Sequence, residues 1–161
     1  MLATIPVTVR DLVVDDLPAC SWSGSPVHLR YVAAELERVP RGEVDYLALC
    51  PPSGLPVGMA LLDWTVVPGA GHIGQLAVHP ALRSCGLGTL LIGQAEARIV
   101  ARGRDRADLR VEVGNGRARA LYERLGYEAY GEAPDGWDQE GPDGMVVRYE
   151  TTSTLMRKQL R

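Results

Sequence analysis

Residues 73–91 read IGQLAVHPALRSCGLGTLL. Ile73, Gln75 and Ala77 alternate with Gly74, Leu76 and Val78, and the run stops at His79-Pro80, the pattern of a buried strand. Arg83-Ser84-Cys85-Gly86-Leu87-Gly88 then leads into Thr89 to Arg102, where Leu91, Ala95 and Ile99 form a helical stripe that ends before Gly103. Two glycines one residue apart, between a strand and a helix, let backbone amides approach a ligand where side chains would block it. A helix start adds free N–H groups and about half a positive charge. Phosphate oxygens are therefore the natural guests of Gly86, Leu87, Gly88 and Thr89, with the Arg83 charge nearby.

Working downstream, Leu109, Val111 and Val113 alternate with Arg110 and Glu112 as a further strand. Strand, helix, strand then makes a right-handed parallel crossover, so the sheet is expected to be mixed. Asn115-Gly116 opens a short helix carrying Ala118, Leu121, Tyr122 and Leu125 on one face, with Gly126 as its stop. Tyr127 to Tyr130 and Met145 to Tyr149 read as strands, Ser153 to Met156 continuing or following the second, and PDGWDQEGPDG, residues 134–144, as the loop between them. Upstream lie a strand at Val7 to Val9 and a short helix at Val13 to Pro18. A helix after Ser25-Pro26 carries Leu29, Val32, Leu36 and Val39, and a hairpin joins Tyr46 to Cys50 with Pro56 to Trp64 across PPSG. No repeat or linker interrupts the order, which predicts one α/β (α+β) domain over residues 1–161.

A chain of 161 residues with 46% hydrophobic and 23% charged residues fits one soluble core and disfavours disorder. No stretch approaches the ~20 apolar residues of a membrane span, and MLATIPVTVRDL lacks the pattern of a secretory leader, so a cytoplasmic protein without membrane partners is expected. Seventeen Lys and Arg against twenty Asp and Glu, a formal charge of -3, argue against nucleic acid and favour a cationic small partner. Cys20, Cys50 and Cys85 form no C-x-x-C pair, so neither a zinc site nor a disulfide framework is expected, and no metal.

The glycine turn has a plain reading as a connector. Among phosphate motifs, a P-loop needs Lys and Ser or Thr after its last glycine, whereas Gly88 is followed by Thr89-Leu90. A dinucleotide fingerprint needs a small residue where this chain has Leu91. Both fail. Arg83-Ser84-Cys85-Gly86-Leu87-Gly88 instead resembles the signature of the GNAT superfamily of N-acetyltransferases: Arg or Gln, two residues, Gly, one residue, Gly or Ala. The resemblance extends to Gln75-Leu76-Ala77-Val78 with His79-Pro80, to Asn115, Ala118, Leu121-Tyr122 and Leu125-Gly126-Tyr127, and to the ending Leu155-Met156-Arg157-Lys158.

The resemblance implies a central mixed, mostly antiparallel sheet with a splayed parallel strand pair, flanked by about four helices. It implies acetyl-CoA as cosubstrate, the loop Arg83, Ser84, Cys85, Gly86, Leu87, Gly88 and Thr89 on its phosphates, and backbone of Leu76, Ala77 and Val78 along its pantetheine arm. Asn115 either contacts that arm or caps its helix. The implied reaction is direct attack of a primary amine of a small molecule or peptide on the thioester in a ternary complex. The alternative is a catalytically inactive acyl-CoA-binding sensor or interaction module, and a homodimer through the sheet edge near the last strands is compatible with the family.

Such an attack needs a base for the amine and an acid for the departing thiolate. Tyr122 matches the family's tyrosine acid, or else it simply packs in its apolar stripe. For the base, His72 offers an imidazole, whose ordinary pKa near 6.5 suits proton removal, and Glu112 projects opposite Leu109, Val111 and Val113. Each also has a bland reading, a surface histidine and an arginine-paired carboxylate. Asp135, Asp138, Glu140 and Asp143 surround Trp137 in the late loop, either to draw in a cationic amine or as a solvated surface. Trp22, His28, Tyr31 and Trp64 are the candidates for the acceptor pocket.

Overall fold

The computed structural model describes residues 1–161. Seven strands form one sheet: β1 (Thr8–Asp11), β2 (Val44–Cys50), β3 (Gly58–Asp63), β4 (Ala70–Val78), β5 (Arg106–Glu112), β6 (Glu128–Glu140) and β7 (Val146–Gln159). Their spatial order is β1-β2-β3-β4-β5-β7-β6. Only β4 and β5 run parallel, joined by helix α2 (Leu87–Ala101), so the expected mixed sheet with one parallel pair is what the chain builds. Two further α-helices, α1 (Pro26–Glu37) and α3 (Gly116–Arg124), and a 3₁₀ segment over Val14–Ser23 complete the layers.

The sheet is covered on both faces, which is why β2 from Tyr46 to Cys50 and β3 from Met59 to Leu62 carry few polar side chains. On one face Leu47, Leu62, Ile73 and Leu109 pack against Ile92, Ala95 and Ile99 of α2, with Leu121 of α3 and Leu125 just past its end alongside. On the other, Tyr46, Ala48, Met59 and Leu61 meet Val32 of α1 and Cys20 of the 3₁₀ segment. α1 starts where Ser25 accepts a bond from His28 N at 3.4 Å and Pro26 takes the first turn, a position that needs no N–H.

Two features place the site. In β4, Ala77 pairs with Met59 and Gly74 with Leu61, so three β4 steps oppose two on β3. The extra residue is a bulge, with Gln75 at φ 48 and its Oε1 held by the Tyr46 hydroxyl at 2.7 Å. Bulges bend and over-twist their strand. The parallel ladder accordingly runs only from Ala70↔Arg106 to Ile73↔Leu109, and beyond it β4 and β5 diverge into an open wedge.

The second feature corrects a sequence expectation. Residues 134–140, expected in a loop, lie in β6, which pairs with β7 from Glu128↔Arg157 to Glu140↔Val146. Pro134 and the glycines of this stretch are tolerated because β6 is the outer edge strand. Cross-strand partners supply the cohesion: Trp137 stacks on Tyr149 at 4.9 Å and Asp138 faces Arg148. The turn itself is confined to Gly141-Pro142-Asp143-Gly144, closed by Gly144 N to Gly141 O at 3.0 Å. Met145 stands outside the strand, which starts at Val146 and runs unbroken through Ser153 to Met156.

Candidate active site

Two clefts open along the wedge and adjoin at Leu76 and Tyr122. The first, about 670 Å³, is lined by Leu76, Val78, the loop residues Leu82 to Ser84 and Gly86, the first turn of α2, and one face of α3. Gly86 is left-handed at φ 82, which a side chain would resist, and Ser84 takes φ 61. Leu90 N already bonds Gly86 O at 3.1 Å, so the first-turn amides of α2 precede the helical ladder. No side chain caps this helix. Those amides, with Arg83, Arg117 and Arg124 on the cleft wall, suit a multiply charged anion.

Of the residues expected to contact the cosubstrate, Leu76, Val78, Arg83, Ser84, Gly86, Leu87, Gly88, Thr89 and Asn115 line this cleft. Ala77 instead pairs with Met59 in the β3–β4 ladder. The Cys85 thiol is exposed and sits against Arg83 O at 3.5 Å. Asn115 caps α3 through Oδ1, which accepts from Ala118 N at 3.2 Å, while also edging the cleft. Sequence reasoning missed Arg117, whose guanidinium donates to Ser84 Oγ and so ties α3 to the loop. Its signal is spacing: Arg117, Leu121 and Arg124 recur on one side of α3, beside the residues already singled out.

The second cleft, about 890 Å³, lies between α1, β4 and β6. Its walls carry His28, Tyr31 and Glu35 from α1, Asp63 from β3, His72 to Leu76 from β4, Arg110 from β5 and Asp135 to Gln139 from β6. Asp135 and Asp138 thus face a cleft, whereas Glu140 and Asp143 stand toward the hairpin tip. The Tyr31 hydroxyl reaches Asp138 Oδ2 at 3.3 Å and links α1 to β6. Asp63 accepts from Arg38 at 2.8 Å and from Thr65; burial pushes its pKa up, but these bonds outweigh it and hold it below the usual carboxylate value. Burial lowers the pKa of His28, whose Nε2 has no protein partner.

The aromatic candidates divide. His28 and Tyr31 line the second cleft. Trp22 packs on His79 at 5.5 Å and donates to Pro56 O at 3.0 Å. Trp64 is buried in the α2-side core beneath Arg102 and Arg104, away from either cleft. Its apolar neighbours Ile73 and Ile99 claim it first.

Tyr122 borders both clefts and meets Tyr127 edge-on at 6.1 Å, so it packs and also faces the junction. Burial raises its pKa, which keeps the phenol a proton donor. His72 is half-buried on the second cleft, with Nδ1 2.7 Å from Asp108 Oδ1. Glu112 lies off both clefts and is paired with no arginine: Oε1 accepts from the Tyr149 hydroxyl and from Thr151 Oγ1 at 2.9 Å.

Comparison with known proteins bears on family and fold. The sequence model of the Acetyltransferase (GNAT) family matches residues 9–127, and the chain belongs to that family. A stretch of 66 residues, 40% of this chain, is 47% identical to the mycothiol acetyltransferase of Beutenbergia cavernae. The match spans 22% of that relative's length. Among solved structures, the ribosomal-protein-S18-alanine N-acetyltransferase of Escherichia coli superposes with a TM-score of 0.72 at 21% identity, covering 96% of this chain and 94% of that one. PaiA N-acetyltransferase of Thermoplasma acidophilum, solved in complex with coenzyme A, gives 0.68 at 15% identity, covering 96% and 99%. A chimeric spermidine N-acetyltransferase from Vibrio cholerae and hSSAT gives 0.73 at 15% identity, covering 96% and 95%. At these identities the structural likeness is one of fold.

Proposed function

We propose that the chain moves an acetyl group from acetyl-CoA to a primary amine of a small molecule or peptide by direct attack, without a covalent enzyme intermediate. The observation that carries this reading is the meeting of two chemically opposite clefts at Leu76 and Tyr122. One ends in uncapped helix amides and three arginines, which fit a diphosphate; the other presents carboxylates and aromatic rings, which fit an ammonium.

In this reading the amides of Leu87, Gly88 and Thr89 hold the diphosphate, and the β4 backbone from Leu76 to Val78, freed from β5, pairs with the pantetheine arm. Acetyl-CoA supplies the activated carbonyl. His72 Nε2 takes the proton released as the amine nitrogen bonds to that carbon. The C–S bond breaks, and the Tyr122 hydroxyl gives its proton to the departing thiolate. Glu112, committed to Tyr149 and Thr151, has no part in this scheme.

Two measurements test the proposal. Calorimetry with CoA should show saturable binding; none would remove the loop assignment. Free-thiol release should follow from acetyl-CoA with at least one member of a panel of polyamines, aminoglycosides, amino sugars and peptide N-termini. Tight CoA binding with no release from any amine would replace the transferase reading with a sensor module.

A further inference from the structure

We infer that Asp108, assisted by Tyr130, is a positioning residue that locks His72 in its Nδ1–H tautomer and presents the Nε2 lone pair to the acceptor cleft. This inference rests on the transfer reading and adds to it how the base is made competent.

The fold places the two side chains together. His72 and Asp108 are direct partners in the short parallel ladder, one residue before β4 and β5 diverge. Asp108 is 2% exposed. A buried carboxylate costs several kcal/mol unless its oxygens are bonded, and an apolar residue would serve packing better. Here both oxygens are used: Oδ1 faces His72 Nδ1 at 2.7 Å and Oδ2 accepts from the Tyr130 hydroxyl. An ionised carboxylate only accepts, so Nδ1 must be the donor and neutral His72 carries its free lone pair on Nε2. Tyr130 is itself fixed, with the Arg157 guanidinium 4.8 Å from its ring centroid. Burial, then the bond to Asp108, push its phenol pKa up to about 12, so it stays a donor.

The free edge of the imidazole faces along β4. A methyl group placed on Gly74 would lie 3.8 Å from His72 Cδ2 and 3.9 Å from Nε2. Gly74 lines the acceptor cleft with Leu76 and Tyr122, so glycine there leaves the approach to Nε2 open. The charged groups around this face are Asp63 with Arg38 on the β3 side, Glu35 of α1, Arg110 of β5, Asp135 and Asp138 of β6, and Arg157 of β7.

The test is a long-range proton–nitrogen correlation spectrum of protein labelled with ¹⁵N-histidine, with the His72 signals assigned from a His72→Gln variant. Wild-type protein with the imidazole neutral should show a protonated Nδ1 and a bare Nε2. In Asp108→Asn the side-chain amide can turn an N–H toward Nδ1, so the tautomer should switch. With the best amine of the panel, kcat should fall by about 100-fold or more, the acidic limb of its pH profile should move, and the Kd for CoA should stay within about twofold. Tyr130→Phe should keep the tautomer and lose less. Should Asp108→Asn fail to fold, Gly74→Ala, which meets only ordinary contacts, should cut kcat without weakening CoA binding. An Nε2–H tautomer in active wild-type protein, or an Asp108→Asn variant with unchanged tautomer and pH profile, overturns the inference. An Nδ1–H imidazole in a protein that transfers to no amine overturns the transfer reading instead.

Discussion

Gly88→Ala pulls folding and ligand binding in opposite directions. Gly88 is the second residue of α2, has ordinary helical backbone, and a Cβ built on it meets no protein atom within 4 Å. Nothing in the fold requires glycine there. Alanine is favoured over glycine in helices by about 0.8–1 kcal/mol, so a first-turn replacement should add roughly 0.5 kcal/mol. At about 2–4 °C per kcal/mol for a chain of this size, Tm rises by about 1–2 °C. Gly88 also lines the cleft where the diphosphate is proposed to sit, so the added methyl group takes space the ligand would use. Losing one charge-assisted bond there costs about 1.5–3 kcal/mol, which is roughly a 10- to 150-fold rise in Kd for CoA. Gly93, exposed in the middle of α2 with open space around it, is the control: Gly93→Ala should gain about 1 kcal/mol and leave CoA binding unchanged. Thermal unfolding and calorimetry on the same preparations decide the matter. Equal CoA affinity in wild type and Gly88→Ala, or equal loss in both variants, would refute the placement of the diphosphate.

Other outcomes follow from the same geometry. Tyr122→Phe should lower kcat by about 100-fold with CoA affinity intact, as read in steady-state kinetics and calorimetry. Gly71→Ala should destabilise by about 1–3 kcal/mol in urea unfolding, because its Cβ would lie 2.4 Å from Ile99 Cγ1 and 2.9 Å from Trp64 Cζ3. The lowered Asp63 pKa contributes stability that is present above its unfolded value of about 4 and is lost as pH falls through the folded one. Arg38→Met leaves only the Thr65 bonds to oppose the burial effect, so stability at neutral pH should drop by about 3 kcal/mol and acid unfolding, followed by circular dichroism, should begin at higher pH. His28, held neutral by burial, works the same way around pH 6.5: stability falls as the pH drops below that value, and His28→Gln should flatten the slope.

The strand, glycine turn and helix of residues 73–102 were legible because each obeys a local rule: alternation, a left-handed glycine, a 3.6-residue stripe. The β6–β7 arm was not, since its polar, glycine-containing edge is held by backbone pairing and cross-strand contacts that no local pattern announces. The bulge at Gln75 hides for a related reason: alternation continues through it in the sequence while the ladder slips. His72 was visible as a candidate, but its partner was not. Asp108 shares the charged phase of an alternating strand with Arg106, Arg110 and Glu112, so the sequence gives it no distinction, and only the parallel register reveals what it is bonded to. Trp64 misled because an aromatic residue after a strand gives no sign of which core will take it.

Strand β7 has a bearing on biogenesis. It is translated after β6, yet it wedges between β6 and β5 and bonds to both. On the ribosome, β1 to β4 can associate in the order they emerge, each with its predecessor. The outer wall of the acceptor cleft has no such route and must wait for the insertion of a strand made last. A nascent chain can therefore shape its anion-binding turn well before it owns a place for the nucleophile, and a message cut short before β7 would leave two raw sheet edges for chaperones to guard.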